Sequence, residues 1–182
     1  MEENFQLLNN IDLIRIGLSK NVEKNRRNEL GQFLTPVCIA KYMASLFIDN
    51  QHTDNINILD AGAGIGTLSV ALINNFTFKN QKPKEIYLDL FEIDPTLIPY
   101  LKNTLNECKE LCQKSKINFH YNVVNDDFIK KGTEILKWNN TLFSKEVSKY
   151  THCIMNPPYK KISNISTHRN NLEAIGLETT NL

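Results

Sequence analysis

Apolar side chains at Phe5, Leu8, Ile11, Ile14 and Leu18 recur at helical spacing and predict a helix over about residues 4–18. A polar, basic stretch from Lys20 to Glu29, with Lys24, Arg26 and Arg27, breaks that pattern. In Gly31-Gln32-Phe33-Leu34-Thr35-Pro36, Thr35 suits an N-cap and Pro36 the first turn of a helix running to about Asp49. Ile56–Ala61 has the length and character of a buried strand, and the glycine turn after it opens a helix over about Thr67–Asn75. Turn-like residues Asn80–Lys84 precede a second strand, Glu85–Phe91. Pro95 starts a helix to about Lys114, with Leu97, Leu101, Leu105, Cys108 and Cys112 along one face. A third strand is expected at about Asn118–Val123 and a fourth at His152–Met155. Strands alternating with long crossovers predict a doubly wound, mostly parallel α/β sheet. Ligands in such sheets bind beyond the carboxyl ends of the strands, near the switch in strand order. Each motif below sits at such an end.

Composition narrows the picture without redirecting it. A chain of 182 residues allows one domain, burying roughly 70% of its unfolded surface. Its hydrophobic share of 41% and charged share of 23% are ordinary for a soluble globular protein. The net charge of +1 shows no global basicity, so a nucleic-acid surface must be local. Cys38, Cys108, Cys112 and Cys153 read as reduced thiols, and His52, His120, His152 and His168 form no ligand spacing, so no metal is expected. The Met-Glu-Glu start lacks a signal pattern, and no apolar run approaches ~18 residues. A cytoplasmic protein with no membrane partner is therefore expected.

The strand ending at Asp60 runs into Ala61-Gly62-Ala63-Gly64-Ile65-Gly66. Glycines let the backbone turn tightly and approach a ligand that a Cβ would exclude. Dinucleotide enzymes use a similar turn, but with the third glycine one residue later, where it receives a pyrophosphate. Asp60 at the strand end repels phosphate and can hold an ammonium group, which favours the amino-acid tail of S-adenosylmethionine. Phe91-Glu92-Ile93-Asp94-Pro95 ends the second strand. Its carboxylate can accept from two ribose hydroxyls and Ile93 can cover an adenine face, although Asp94-Pro95 is also a plain helix-start signal. Asn125-Asp126-Asp127-Phe128 reads alone as a capped turn. As the third acid-bearing strand end, it offers Asp127 to the cofactor's adenine amino group and Phe128 as a stacking ring.

Cys153-Ile154-Met155-Asn156-Pro157-Pro158-Tyr159 ends an apolar strand in a polar side chain, two rigid prolines and an aromatic ring. The exocyclic amine of a base is a poor nucleophile because its lone pair is delocalised into the ring. Two acceptors aimed at its hydrogens, the Asn156 side-chain oxygen and the Pro157 carbonyl, favour a pyramidal nitrogen and free that lone pair. The Tyr159 face can hold a base swung out of the duplex.

Gly31–Pro36, Asp60–Gly66, Glu92–Pro95, Asp127-Phe128 and Asn156–Tyr159 occur in the order of the gamma-class DNA adenine-N6 methyltransferases, the TaqI-like type II modification enzymes, which this chain resembles over about residues 24–182. The resemblance implies a Rossmann-like class I S-adenosylmethionine-dependent fold and site-specific methylation of a flipped adenine in double-stranded DNA, within a restriction-modification system. It also implies that Gly31–Pro36 closes over the methionine end of the cofactor, with Phe33, Thr35 and Pro36 in contact. Lys160–Leu182, with Thr167-His168-Arg169, is similar to the segment after the catalytic motif in that class. The expected organisation is an N-terminal helix and basic linker over 1–30 and a catalytic domain over 31–182.

Family members continue with three more strands and a target-recognition domain, so the sheet is expected to be incomplete at its C-terminal side. Truncation is favoured over a designed fragment or half of a split enzyme completed by a second polypeptide. Two other functions fit the same turn: methylation of a protein glutamine or an RNA amine, and a non-catalytic fragment that needs a partner chain. Gly31–Pro36 ahead of the glycine turn favours DNA adenine. Lys24, Arg26, Arg27, Lys160, Lys161 and Arg169 could contact phosphates beside the site, but each is better explained by solvated charge.

Overall fold

The computed structural model describes residues 2–21, 33–47, 54–79, 81–139, 150–157 and 166–178. Four strands, β1 (Asn55–Ala61), β2 (Glu85–Phe91), β3 (Asn118–Val124) and β4 (His152–Cys153), form an all-parallel sheet in the order β3-β2-β1-β4. The helices are α1 (Glu2–Asn21), α2 (Val37–Ser45), α3 (Thr67–Phe78), α4 (Ile98–Lys114), α5 (Phe128–Asn139) and α6 (Thr167–Glu173). From β1 to β2 to β3 the chain steps in one direction, so right-handed crossovers put α3 and α4 on the same face, where they touch. The return from β3 across to β4 reverses the direction and sends α5 to the other face. The expected parallel α/β architecture is therefore present, with its switch between β1 and β4.

Ile56 and Ile58 of β1, Ile86, Leu88 and Leu90 of β2, and Phe119 of β3 are buried beneath the helices. Helix α3 lies between the sheet and its neighbours α1, α2 and α4. Accordingly it is buried nearly all round, from Thr67 to Ile73 and again at Phe76 and Thr77. Each such Leu, Ile or Phe contributes ~1.5–3 kcal/mol relative to an exposed position. Alternation sends the intervening β2 and β3 residues to the opposite face, where Tyr87 stacks on His120 at 4.8 Å. Asp89 on that face accepts from Tyr150 Oη at 2.8 Å and Asn122 Nδ2 at 3.1 Å.

Three local expectations need correction. Pro36, not Thr35, holds the N-cap position of α2, and no side chain caps that helix. The acceptor near its first amide is Asp12 Oδ1 of α1, 3.3 Å from Val37 N, and the helix ends at Ser45, short of Asp49. Helix α4 begins at Ile98, because Asp94 first closes a turn by accepting from Thr96 N at 2.9 Å and Thr96 Oγ1 at 2.6 Å. Strand β4 spans only His152 and Cys153, flanked by Thr151 N and Ile154 N donating to Asn57 O and Leu59 O of β1, and so ends short of Met155. Lys24, Arg26, Arg27, Gly31, Gln32, His52, Pro158, Tyr159, Lys160 and Lys161 lie outside the described residues.

Candidate active site

At the end of β1, Asp60 is fully buried. Its Oδ2 accepts from Ser69 Oγ at 2.6 Å, while its Oδ1 is buried with no hydrogen-bond partner. Burial, with a smaller contribution from the nearby Glu92 charge, pushes the Asp60 carboxyl up to about 7, against the opposing Ser69 bond. The three glycines then serve different ends. Gly62, at φ +93°, faces open space where a Cβ would project, so a ligand can approach its backbone. Gly64, at φ +59°, underlies Leu34, whose Cδ2 would sit 2.9 Å from a Cβ. Gly66, at φ +87°, packs on α4, where a Cβ would lie 3.0 Å from Leu101 Cδ1 and 3.1 Å from Thr104 Cγ2. Ala61 is the last β1 residue, and the amides of Gly62 and Ala63 both donate to Phe91 O at 2.9 Å.

The second acid is placed where the sequence predicts, at the end of β2, but it has other partners. Glu92 is buried, accepting from Gly64 N at Oε2 and Asp94 N at Oε1, both at 2.7 Å. Its carboxylate thus clamps the glycine turn to β2. Ile93 beside it is 48% exposed and available to an apolar face. Asn125 Nδ2 donates to Glu92 O at 2.7 Å and Ile93 O at 3.3 Å, linking the ends of β2 and β3.

Both oxygens of Asp127 are engaged. Oδ1 caps α5 by accepting from Lys130 N at 2.9 Å, and Oδ2 is 2.7 Å from His168 Nε2 of α6. The capped-turn reading of this motif is therefore correct locally, and an adenine amine has to share or displace the His168 bond. Phe128 packs edge-on against Phe91, with centroids 5.2 Å apart.

Beyond β4, the half-buried Asn156 reaches back to residues 33–36. Its Nδ2 donates to Thr35 Oγ1 at 3.0 Å and to Phe33 O at 3.4 Å. That use of the amide nitrogen leaves Oδ1 as the acceptor to present. Thr35 is buried and Phe33 is 62% exposed; Pro36 is half-buried and Pro157 exposed. Cys153, paired with Leu59, has its thiol raised by burial and by Asp60. Sequence reasoning did not single out Ser69, nor the roles of Asn125 and His168. Asn125, the first residue of the Asn125–Phe128 motif, was the readable signal, whereas Ser69 and His168 depend on contacts between distant segments.

These groups fit S-adenosylmethionine. A buried carboxylate with an orphaned oxygen suits an ammonium, the space over Gly62 admits a backbone-hugging ligand, and exposed Phe33 and Ile93 offer apolar cover. No protein-family model matches the chain. It is 38% identical over 177 residues to the type II methyltransferase M.BsuBI of Bacillus subtilis, covering 97% of this chain and 33% of that protein. It is 31% identical over 172 residues to M.PstI of Providencia stuartii, covering 94% and 32%. A Listeria monocytogenes protein assigned to the class I S-adenosylmethionine-dependent methyltransferases superposes with a TM-score of 0.58 at 18% identity, over 94% of this chain and 43% of that one. The chain spans about a third of the length of the two curated relatives. It therefore has the class I methyltransferase fold and is similar along nearly all of its length to part of two type II methyltransferases.

Proposed function

We propose that this chain carries the catalytic portion of a DNA adenine-N6 methyltransferase of a restriction-modification system. The observation that carries this reading is the Asn156 amide, held by its nitrogen so that its oxygen is left over beside the switch between β1 and β4. S-adenosylmethionine supplies an electrophilic methyl group on a sulfonium. Asp60 would hold its ammonium end, Phe33 and Ile93 would flank it, and Glu92 at the end of β2 would meet the ribose. Asn156 Oδ1 and the Pro157 carbonyl accept from the two hydrogens of the target amine, which localises its lone pair for attack. Neither is a strong base, so as the methyl passes from sulfur to nitrogen, the S–C bond breaking to leave a neutral thioether, the amine would shed its proton to water.

Adenine in DNA is the substrate we favour, because the relatives that match nearly the whole chain are type II methyltransferases. The test combines calorimetry with transfer of a labelled methyl group to unmethylated DNA, RNA and protein. Transfer is measured with the chain alone and with the parts of M.BsuBI outside the matched 177 residues supplied in trans. Asn156→Ala is expected to bind S-adenosylmethionine like the wild type and to lose transfer to DNA by about a hundredfold or more. Label in RNA or protein but not DNA, or an active Asn156→Ala, refutes the proposal.

A further inference from the structure

A side-chain amide carries a donor and an acceptor on nearly the same shape, so half a turn about its last torsion exchanges them. For Asn156 that exchange is decisive, since a flipped amide would point its own N–H groups at the hydrogens of an amine. Of the two groups facing Asn156, the Phe33 carbonyl sets the choice and the Thr35 hydroxyl, which fits either orientation, anchors the amide beside it. The Phe33 carbonyl, 3.4 Å from Nδ2, can only accept. The Thr35 hydroxyl, 3.0 Å from Nδ2, is buried and bonds it away from water. A second observation points the same way. Thr35 sits immediately before the N-cap of α2, yet its hydroxyl caps nothing there and engages a residue 121 positions away. Leu34, between the two contact residues, lies against Gly64, which seats the segment on the glycine turn as well.

We propose that Thr35 is a positioning residue: its hydroxyl, with the Phe33 carbonyl, holds the Asn156 amide in the one orientation that offers Oδ1 to the target amine. This rests on the function proposed above and moves Thr35 from the cofactor contacts to the support of the catalytic amide. Losing the hydroxyl leaves the amide held only by the 3.4 Å bond to the Phe33 carbonyl, so it drifts from that orientation and turnover falls, while the cofactor's own contacts persist.

The test uses the full chain labelled with ¹⁵N, the Asn156 side-chain amide being assigned from its disappearance in Asn156→Asp. In the wild type, exchange of its hydrogens with water should be about tenfold slower than for an exposed asparagine such as Asn103. Thr35→Val should remove that protection and Thr35→Ser keep it, with Kd for S-adenosylmethionine within about threefold in both. In the complemented methyl-transfer assay, Thr35→Val should lower kcat roughly ten- to a hundredfold at nearly unchanged KM, and Thr35→Ser should restore it to within about threefold. Unchanged amide exchange in Thr35→Val, or a Kd that rises as far as the rate falls, overturns the assignment and leaves Thr35 a cofactor contact. If Thr35→Val does not fold, Thr35→Ala tests the same loss. If the wild type transfers nothing to DNA, the proposed function fails while the exchange measurements still decide whether Thr35 holds Asn156.

Discussion

Asp60 offers a direct test of the cofactor half of the site, because burial leaves it with a carboxyl that titrates at about 7. A ligand whose ammonium needs the ionised form must bind more weakly as that form disappears. With this value, the ionised fraction is about a half at pH 7 and about 3% at pH 5.5, so affinity should fall about fifteenfold over that interval. A free α-amino group stays protonated below about 7.7, so the ligand itself contributes little to that fall. Asp60→Asn keeps an oxygen for Ser69 but cannot ionise. It should bind roughly ten- to a hundredfold more weakly at pH 7 and show no such slope. Stability carries the same signature with its sign fixed by linkage. The native carboxyl holds its proton more tightly than the unfolded one, at 3.8, so stability falls as pH rises from about 4 to about 7 and then levels. The full difference is on the order of 4 kcal/mol and should vanish in Asp60→Asn. Isothermal calorimetry and urea melts at several pH values measure both. An unchanged slope in the variant would refute the argument and transfer the titration to another group.

Other outcomes follow from the packing. Gly66→Ala forces a left-handed backbone on alanine and presses its Cβ against Leu101 and Thr104; thermal melts should show a loss of about 1–3 kcal/mol. Native alkylation mapped by mass spectrometry should find Cys38 first and Cys153 more slowly, since burial and Asp60 raise the latter thiol. Cys108 and Cys112, buried with raised thiols, should react only on unfolding. His168→Ala removes a partly exposed pair, 42% and 19% accessible, and should cost less than about 1 kcal/mol globally. It should nevertheless speed amide exchange across Thr167–Glu173, whereas unchanged exchange would mean that the Asp127 contact does not hold α6.

The sheet was largely readable before the structure. The apolar alternation of Ile86, Leu88 and Leu90 fixes β2 at Glu85–Phe91, and the glycine turn marks where β1 stops. Helix ends were less readable, because Pro95 signals the start of a turn and not the first residue of α4. The site divides along similar lines. Acids at strand ends are local features, and Asp60, Glu92 and Asp127 lie where the pattern puts them. Their partners are not local. Glu92 accepts from Gly64, 28 positions back, and Asp127 meets His168, 41 positions on. Thr35 shows the limit most clearly: its capping propensity describes its neighbours, and a tertiary partner overrides it.

The short pairing of β4 bears on how the site comes into being. β4 meets β1 over a short span, with Thr151 N donating to Asn57 O at 2.8 Å and Ile154 N to Leu59 O at 3.0 Å, and Asn156 closes onto Thr35 across most of the sequence. Contacts between β1, β2 and β3 span shorter loops and form at smaller entropic cost. The glycine turn and its acids can thus be complete before the catalytic amide arrives. Fraying of β4 in the native state should switch off chemistry without unfolding the cofactor half. In this chain, assembly order separates holding a methyl donor from spending its methyl group.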